Sequence, residues 1–233
     1  MERLKRTEKN TLTERVLQFG EGNFLRGFVD WMIDKLNKEN GGDYGVTIVQ
    51  PLAGGLVDKL NAQDGRYSLY LRGLLKGEKV EETRIVDCVT RGINPYTNTD
   101  EFFDCAKNPD LRFIVSNTTE AGIEYKPNQN PDDFNGLTFP GRLTLFMKKR
   151  FDEGLGGFIL LPCELIDKNG DNLKECILKY SKDWGYGGEF EKWIETENHF
   201  TNTLVDRIVT GYPRDNAKEM EQLYGYLDDM IDT

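Results

Sequence analysis

Histidine is almost missing from this chain. His199 is the one histidine in 233 residues, and the four cysteines, Cys88, Cys105, Cys163 and Cys176, include no C-x-x-C pair. That leaves no ligand spacing for a zinc or redox centre. The thiols read as scattered buried side chains of a reducing compartment, and His199, beside Phe200, as a structural or exposed residue. Positive charge is scarce as well: 30 Lys and Arg against 40 Asp and Glu give a formal net charge of −10. A surface of that sign repels nucleic acid and anionic membranes at long range. A local pocket can still carry the opposite sign. Arg142, Arg207 and Arg214 are candidates to supply one for a small anion, although each alone reads more simply as a surface arginine. No apolar run approaches the roughly 18 residues of a membrane span. The opening MERLKRTEKNTLTER is charged and has no signal-peptide core. These absences predict a cytoplasmic protein with neither a nucleic-acid nor a membrane partner.

Hydrophobic residues make up 38% of the sequence and are spread along its length, so residues 1–233 read as one domain with a sizeable core. Arg15–Phe19 is a short apolar run ended by glycine, the pattern of a buried strand. Phe24, Phe28, Trp31, Met32 and Leu36 then recur with helical spacing, and Asn40-Gly41-Gly42 marks the helix end. Tyr44–Gln50 is rich in β-branched residues and completes a βαβ unit with parallel strands. Tyr67–Leu75 and Val80–Thr90, flanking Lys76-Gly77-Glu78, read as an inserted antiparallel hairpin.

Helices are predicted at Asp100–Ala106, Leu143–Phe151, Asn172–Lys182 and Asn216–Asp228, and strands at Arg112–Ser116 and Gly157–Pro162. Gly122–Gly136 reads as a loop and Leu204–Val209 as a further apolar run. The final YGYLDDMIDT reads as lacking a capping glycine. The expected fold is α/β: a Rossmann-like, doubly wound, mainly parallel sheet with an inserted antiparallel β-hairpin.

Chemistry concentrates in Val16–Gly27 (VLQFGEGNFLRG). Gly20 lets the chain turn off the strand. Gly22 has no side chain, so backbone can approach a phosphate, and the first N–H groups of the following helix would face the pyrophosphate of a dinucleotide. Leu25 replaces the third glycine of G-x-G-x-x-G, so the turn also reads as an ordinary βα connection. Gln50, ending the second strand, stands where a ribose contact is expected. It is neutral, so it does not choose between NAD and NADP, and it serves equally as a strand cap. Reducing a ketone by hydride also needs a proton donor to the alkoxide. No tyrosine here is followed by lysine at Tyr-x-x-x-Lys spacing, and no metal cluster exists to polarise a carbonyl.

Six segments, in order over nearly the whole chain, resemble the polyol-specific long-chain dehydrogenases, the mannitol dehydrogenase family. They are LQFGEGNFLRGFVDWMI (Leu17–Ile33), GRYSLYLRG (Gly65–Gly73), FIVSNTTEAGI (Phe113–Ile123), FPGRLTLFMKKRF (Phe139–Phe151), LLPCELIDKNGDNL (Leu160–Leu173) and TNTLVDRIVTGYP (Thr201–Pro213). They point to the tagaturonate-reducing branch. The resemblance implies NAD-dependent, metal-independent, reversible reduction of D-tagaturonate to D-altronate in hexuronate breakdown, with a sugar acid as substrate. Relatives acting on fructuronate, mannitol or its phosphate are alternatives, as is a nucleotide-binding module without chemistry.

The resemblance also assigns roles. Phe19, Gly20, Gly22, Asn23 and Phe24 would line the dinucleotide site, with Leu17, Gln18, Glu21, Leu25 and Arg26 completing the cofactor segment. Asn117 and Thr118 would lie at the nicotinamide end. Glu120 would join a proton path, or else be a helix N-terminal charge. Asn202, Asp206 and Arg207 would sit near the catalytic cleft, Arg207 on the substrate; Asp206 and Arg207 also read as an ordinary ion pair. Mannitol dehydrogenases carry an asparagine after Cys-Asp. Here Cys163 is followed by Glu164-Leu165, which removes that donor and leaves Glu164 as the substrate-contact candidate. Family members continue into a helical second domain bearing a catalytic lysine. The resemblance therefore implies that the proton donor lies beyond Thr233, that the chain alone turns over poorly, and that an uncovered apolar face would let it self-associate.

Overall fold

Alternation along the first strand sets the architecture. In β1 (Glu14–Phe19), Leu17 and Phe19 enter one apolar cluster and Val16 enters a second on the opposite face. A strand buried on both faces needs a layer on each side. The computed structural model describes residues 1–119 and 122–233. Along the chain β1 is followed by β2 (Gly45–Val49), β3 (Tyr67–Leu75), β4 (Glu78–Val86), β5 (Val89–Ile93), β6 (Phe113–Ser116), β7 (Ile159–Pro162) and β8 (His199–Phe200). Six of these form one parallel sheet in the order β5-β2-β1-β6-β7-β8. That is the Rossmann order, with the direction of winding reversing between β1 and β6.

β3 and β4 form the expected hairpin, apart from the main sheet. Leu75 pairs with Glu78, leaving Lys76-Gly77 as a two-residue turn with φ of +55° and +87°, as a type I′ hairpin turn requires. The second hairpin strand is shorter than the sequence predicts. It ends at Val86, because the Asp87 N–H turns to the Asp34 carboxylate at 2.9 Å. The Cys88 carbonyl then accepts from Val46 N–H, and Val89–Ile93 joins the parallel sheet as its edge strand.

The helix after β1 runs from Asn23–Leu25 through a π-helical turn, Arg26–Asp30, into Trp31–Asn40. It stops on Gly41 at φ +66°. Further helices are Val57–Ala62, Thr99–Cys105, Phe139–Asp152, Asn169–Asp183, Gly188–Glu197 and Ala217–Tyr224. The first and fifth of these six have no counterpart in the sequence reading. Phe139–Asp152 starts earlier than its apolar period suggests. Thr138 accepts from Gly141 N–H and Pro140 fits the first turn, where its missing N–H costs nothing.

The last helix ends earlier than predicted, at Tyr224. Gly225, at φ +81°, is its capping glycine, a correction to the reading of YGYLDDMIDT. The residues after it fold back: Asp232 N–H donates to Ser68 O and its carbonyl accepts from Tyr70 N–H, both at 2.9 Å. Leu204–Val209 adopts no regular structure, and Leu204 is 97% exposed. Among the described residues no helix is long and apolar enough to cross a membrane.

Candidate functional site

Where a doubly wound sheet reverses direction, the loops leaving adjacent strands part and open a crevice at their C-terminal ends. Here that point lies between the ends of β1 and β6. Gly20 donates to Val49 O at 3.1 Å, and Asn117 N–H donates to Phe19 O at 3.1 Å. Gly20 sits at φ +128°, and a Cβ on it would come within 3.2 Å of Asn117 O, so its backbone conformation and its neighbour both call for glycine. Gly22 differs. It caps the helix at φ −67° and ψ 163°, angles open to any residue, with no side-chain cap. A Cβ there would meet nothing within 4 Å. The fold does not need this glycine. It leaves clear space in front of the first N–H groups of the helix, which have no partner among the described residues, and that is the space a pyrophosphate takes at such a turn.

Behind the turn lies a buried polar bracket. Arg26 is 1% exposed. Its guanidinium donates to Glu21 O (3.0 Å), Met230 O (2.6 Å) and Asn23 Oδ1 (2.6 Å), and it stacks on the Tyr67 ring at 5.0 Å. Tyr67 hydroxyl donates to Arg26 O and to Asp30 Oδ2, and Gln18 Nε2 donates to Gly20 O. Burial pushes the Asp30 carboxyl up to about 7 and Asp232 to about 6. Leu17, Gln18, Leu25 and Arg26 are thus sealed inside the protein and shape the turn from behind, so their side chains do not line it. Phe19 is likewise in the core, against Phe102 and Phe139.

At the end of β2, Gln50 is also buried. Its Nε2 donates to Leu52 O at 2.7 Å and Ala53 O at 3.1 Å, and its Oε1 accepts from Val57 N–H. The Glu21 carboxylate meets the same loop, accepting from Leu56 N–H at 3.3 Å, and burial raises its pKa. A Cβ on Gly55 would lie 2.3 Å from Glu21 Oε1. Gln50 and Glu21 therefore fold the Pro51–Leu56 loop over this end of the crevice.

At the other end, Asn117 Nδ2 donates to Cys163 O at 2.7 Å. Glu164 is 2% exposed, and its carboxylate accepts from Ser116 Oγ, Thr118 N–H and Thr118 Oγ1 at 3.0–3.1 Å. Both carboxylate oxygens are engaged within the protein, and the side chain clamps the ends of β6 and β7 together. Glu120 lies outside the described residues. Asn202 is exposed and bonds Asp171 at the start of the helix Asn169–Asp183, and Asn169 ties the next residue, Thr203, to the Glu164 carbonyl. Asp206 is exposed, and no Asp206–Arg207 ion pair occurs among the described residues. Arg207 stacks on Trp31 at 4.4 Å.

Arg142 is tied to Tyr96 hydroxyl and Pro51 O, so it does not join Arg207 and Arg214. Those two line a cleft with Arg72, an arginine that no sequence motif singles out. Ser116, Tyr67 and Asp30 also escaped sequence reasoning, since their roles depend on partners distant along the chain.

A family profile described as the mannitol dehydrogenase Rossmann domain matches residues 14–229. The sequence is 46% identical over 225 residues to altronate oxidoreductase of Cronobacter sakazakii and 47% identical to that of Shigella flexneri. Each alignment covers 94% of this chain and 47% of the relative, so the chain spans about half the length of the curated relatives it matches. Among solved structures, mannitol 2-dehydrogenase of Pseudomonas fluorescens, in a ternary complex with NAD and D-mannitol, superposes with a TM-score of 0.81 at 19% identity. It covers 95% of this chain and 48% of its own. A D-sorbitol dehydrogenase superposes at 0.80 and 21%, with the same coverage. At such identities these two structures speak for the fold.

Proposed function

The chain belongs to the mannitol dehydrogenase family, and on that premise we propose that it is the NAD-binding part of an enzyme that interconverts D-tagaturonate and D-altronate. The observation that carries the cofactor reading is the clear space at Gly22, in front of unpaired helix N–H groups at the switch point of the sheet. The altronate oxidoreductases that the sequence resembles over 94% of its length support the substrate.

In this reading Gly20, Gly22, Asn23 and Phe24 present backbone to the pyrophosphate, while Arg26, Tyr67 and Gln18 hold the turn rigid from behind. The Pro51–Leu56 loop, fixed by Gln50 and Glu21, covers the adenosine end. Asn117 and Thr118, clamped by Glu164, border the nicotinamide end. NAD, when bound, carries the hydride. Asp206 is exposed to solvent and is proposed as a supporting group on the substrate side, as are Asn202 and Glu120. The proton donor is placed in the half of the relatives that this chain does not span. The four buried thiols fit a reducing cytoplasm.

The experiment is an NADH-oxidation assay of the enzyme carrying this chain, with tagaturonate, fructuronate and fructose compared. A clear preference for tagaturonate is expected. A preference for either other ketone would move the assignment to another branch of the family. The 233 residues alone are expected to bind NADH and to reduce tagaturonate at a rate near background.

A further inference from the structure

Most arginines of this acidic chain already have partners. Arg84 and Arg91 meet carboxylates, and Arg26, Arg142 and Arg150 donate to backbone carbonyls. Arg72, Arg207 and Arg214 do not fit that pattern. Among the described residues none of the three has a carboxylate within ion-pair distance, yet all three line one cleft of about 1010 Å³. Asp215 is the one acidic side chain among the lining residues. Thr233, at the rim, has its carbonyl oxygen engaged by Thr210 and Gly211 N–H.

Two of the guanidiniums are oriented in advance. Arg207 lies over the Trp31 ring and Arg72 over the Tyr70 ring, each at 4.4 Å. Stacking fixes the plane of a guanidinium and leaves its N–H edge directed outward, the edge that grips a carboxylate with two parallel hydrogen bonds. The cleft also adjoins the cofactor turn. Asn23, the first residue of the helix behind Gly22, lines it, and Gly211 presses so close that a Cβ there would lie 2.2 Å from Asn23 Nδ2. A molecule of net charge −10 thus gathers three guanidiniums beside the place proposed for the dinucleotide, with the buried Asp232 carboxylate attracting Arg207 and Glu81 held by the Tyr70 hydroxyl next to Arg72.

We propose that this cleft binds the carboxylate of a sugar acid, with Arg72, Arg207 and Arg214 as the residues that distinguish the acid from a neutral polyol of the same length. The assignment rests on the tagaturonate–altronate reading and gives its substrate a place on this chain. Arg207 and Arg72 hold the carboxylate edge-on, and the exposed Arg214 adds a third positive charge to the lining. A neutral sugar alcohol offers nothing to these groups beyond ordinary hydroxyl contacts.

The test is calorimetric titration of the chain with altronate, D-mannitol and inorganic phosphate, each with and without NADH. Arg207→Ala, the double variant Arg72→Ala/Arg214→Ala and the conservative Arg207→Lys are compared after thermal melts establish that each is folded. Altronate is expected to bind at least tenfold more tightly than mannitol. The alanine variants should lose at least tenfold in altronate affinity while NADH affinity stays within twofold, and Arg207→Lys should recover only part of the loss. Altronate affinity unchanged by the alanine variants, no altronate binding, or mannitol binding equally well would overturn the assignment. Phosphate binding as tightly as altronate, and lost in the same variants, would make this a general anion site and overturn the sugar-acid assignment. Failure of the wild-type chain to bind NADH would count against the cofactor reading instead, and the titrations without NADH would still read the cleft.

Discussion

Glu164, just past the end of β7, accepts both the backbone N–H and the hydroxyl of Thr118, just past the end of β6, at 3.1 and 3.0 Å. The two residues lie 46 positions apart in sequence, and the contact joins the two loops on one side of the crevice. Ser116 Oγ completes the acceptor set at 3.0 Å. Removing the carboxylate strands buried donors, which costs roughly 1–3 kcal/mol apiece when no substitute partner is found. Glu164→Ala is expected to lower stability by about 2–3 kcal/mol on that basis, and to weaken NADH binding. Glu164→Gln keeps an acceptor for Thr118 and gains a donor for Ser116, so it should recover more than half of both losses. Urea denaturation and NADH titration of the two variants provide the check. Equal losses in both would show that charge, rather than hydrogen-bond geometry, is what Glu164 supplies.

Gly20 and Gly22 stand two residues apart and should respond oppositely to the same substitution. Gly20→Ala forces a side chain into φ +128° and against Asn117 O, and should cost about 1–3 kcal/mol of stability. Gly22→Ala adds a methyl to empty space at permitted angles, so its stability should stay within about 0.5 kcal/mol of wild type. Its NADH affinity should fall at least tenfold. Chemical denaturation and NADH titration of both variants separate the structural glycine from the binding one. A Gly22→Ala protein that was destabilised but bound NADH normally would reverse the assignment.

Asp30 gives the fold a defined pH dependence. Its carboxyl is fully buried, its Oδ1 has no hydrogen-bond partner among the described residues, and burial raises its pKa from 3.8 to about 7. A carboxyl with a raised folded-state pKa holds its proton more tightly when folded. Its contribution to stability is therefore greatest below the unfolded value and falls as pH rises from about 4 towards 7. Asp232, raised to about 6, has the same sign. Asp30→Asn removes one of these two slopes. The variant should gain on wild type, in urea midpoint, as pH is raised from 5 to 8. An identical difference at both values would show that Asp30 does not titrate in this range.

How far the sequence leads depends on how local the deciding interaction is. The β1–turn–helix unit is legible because Val16 to Leu36 carries a strand, two glycines and a helical period within one stretch, and Gly41 closes the helix as its position suggests. The break between β4 and β5 is not legible. It is made by Asp34 taking the Asp87 N–H from 53 residues away, and nothing in VEETRIVDCVT announces it. Glu164 stands out by its position beside Cys163, but its partners Ser116 and Thr118 are 48 and 46 residues away and meet it only through the pairing of β6 with β7. The arginine cleft is similar: Arg207 and Arg214 are readable as candidates for a positive pocket, whereas Arg72 joins their cleft only because the inserted hairpin meets the last residues of the chain.

The central claim is that the Gly20–Gly22 turn holds a nicotinamide dinucleotide, and NADH titration of this chain tests it most directly, followed by the change in NADH fluorescence and by calorimetry. Saturable one-to-one binding is expected, abolished by Gly22→Val in a protein that melts like wild type. Absence of saturable binding, or binding that Gly22→Val leaves intact, would contradict it.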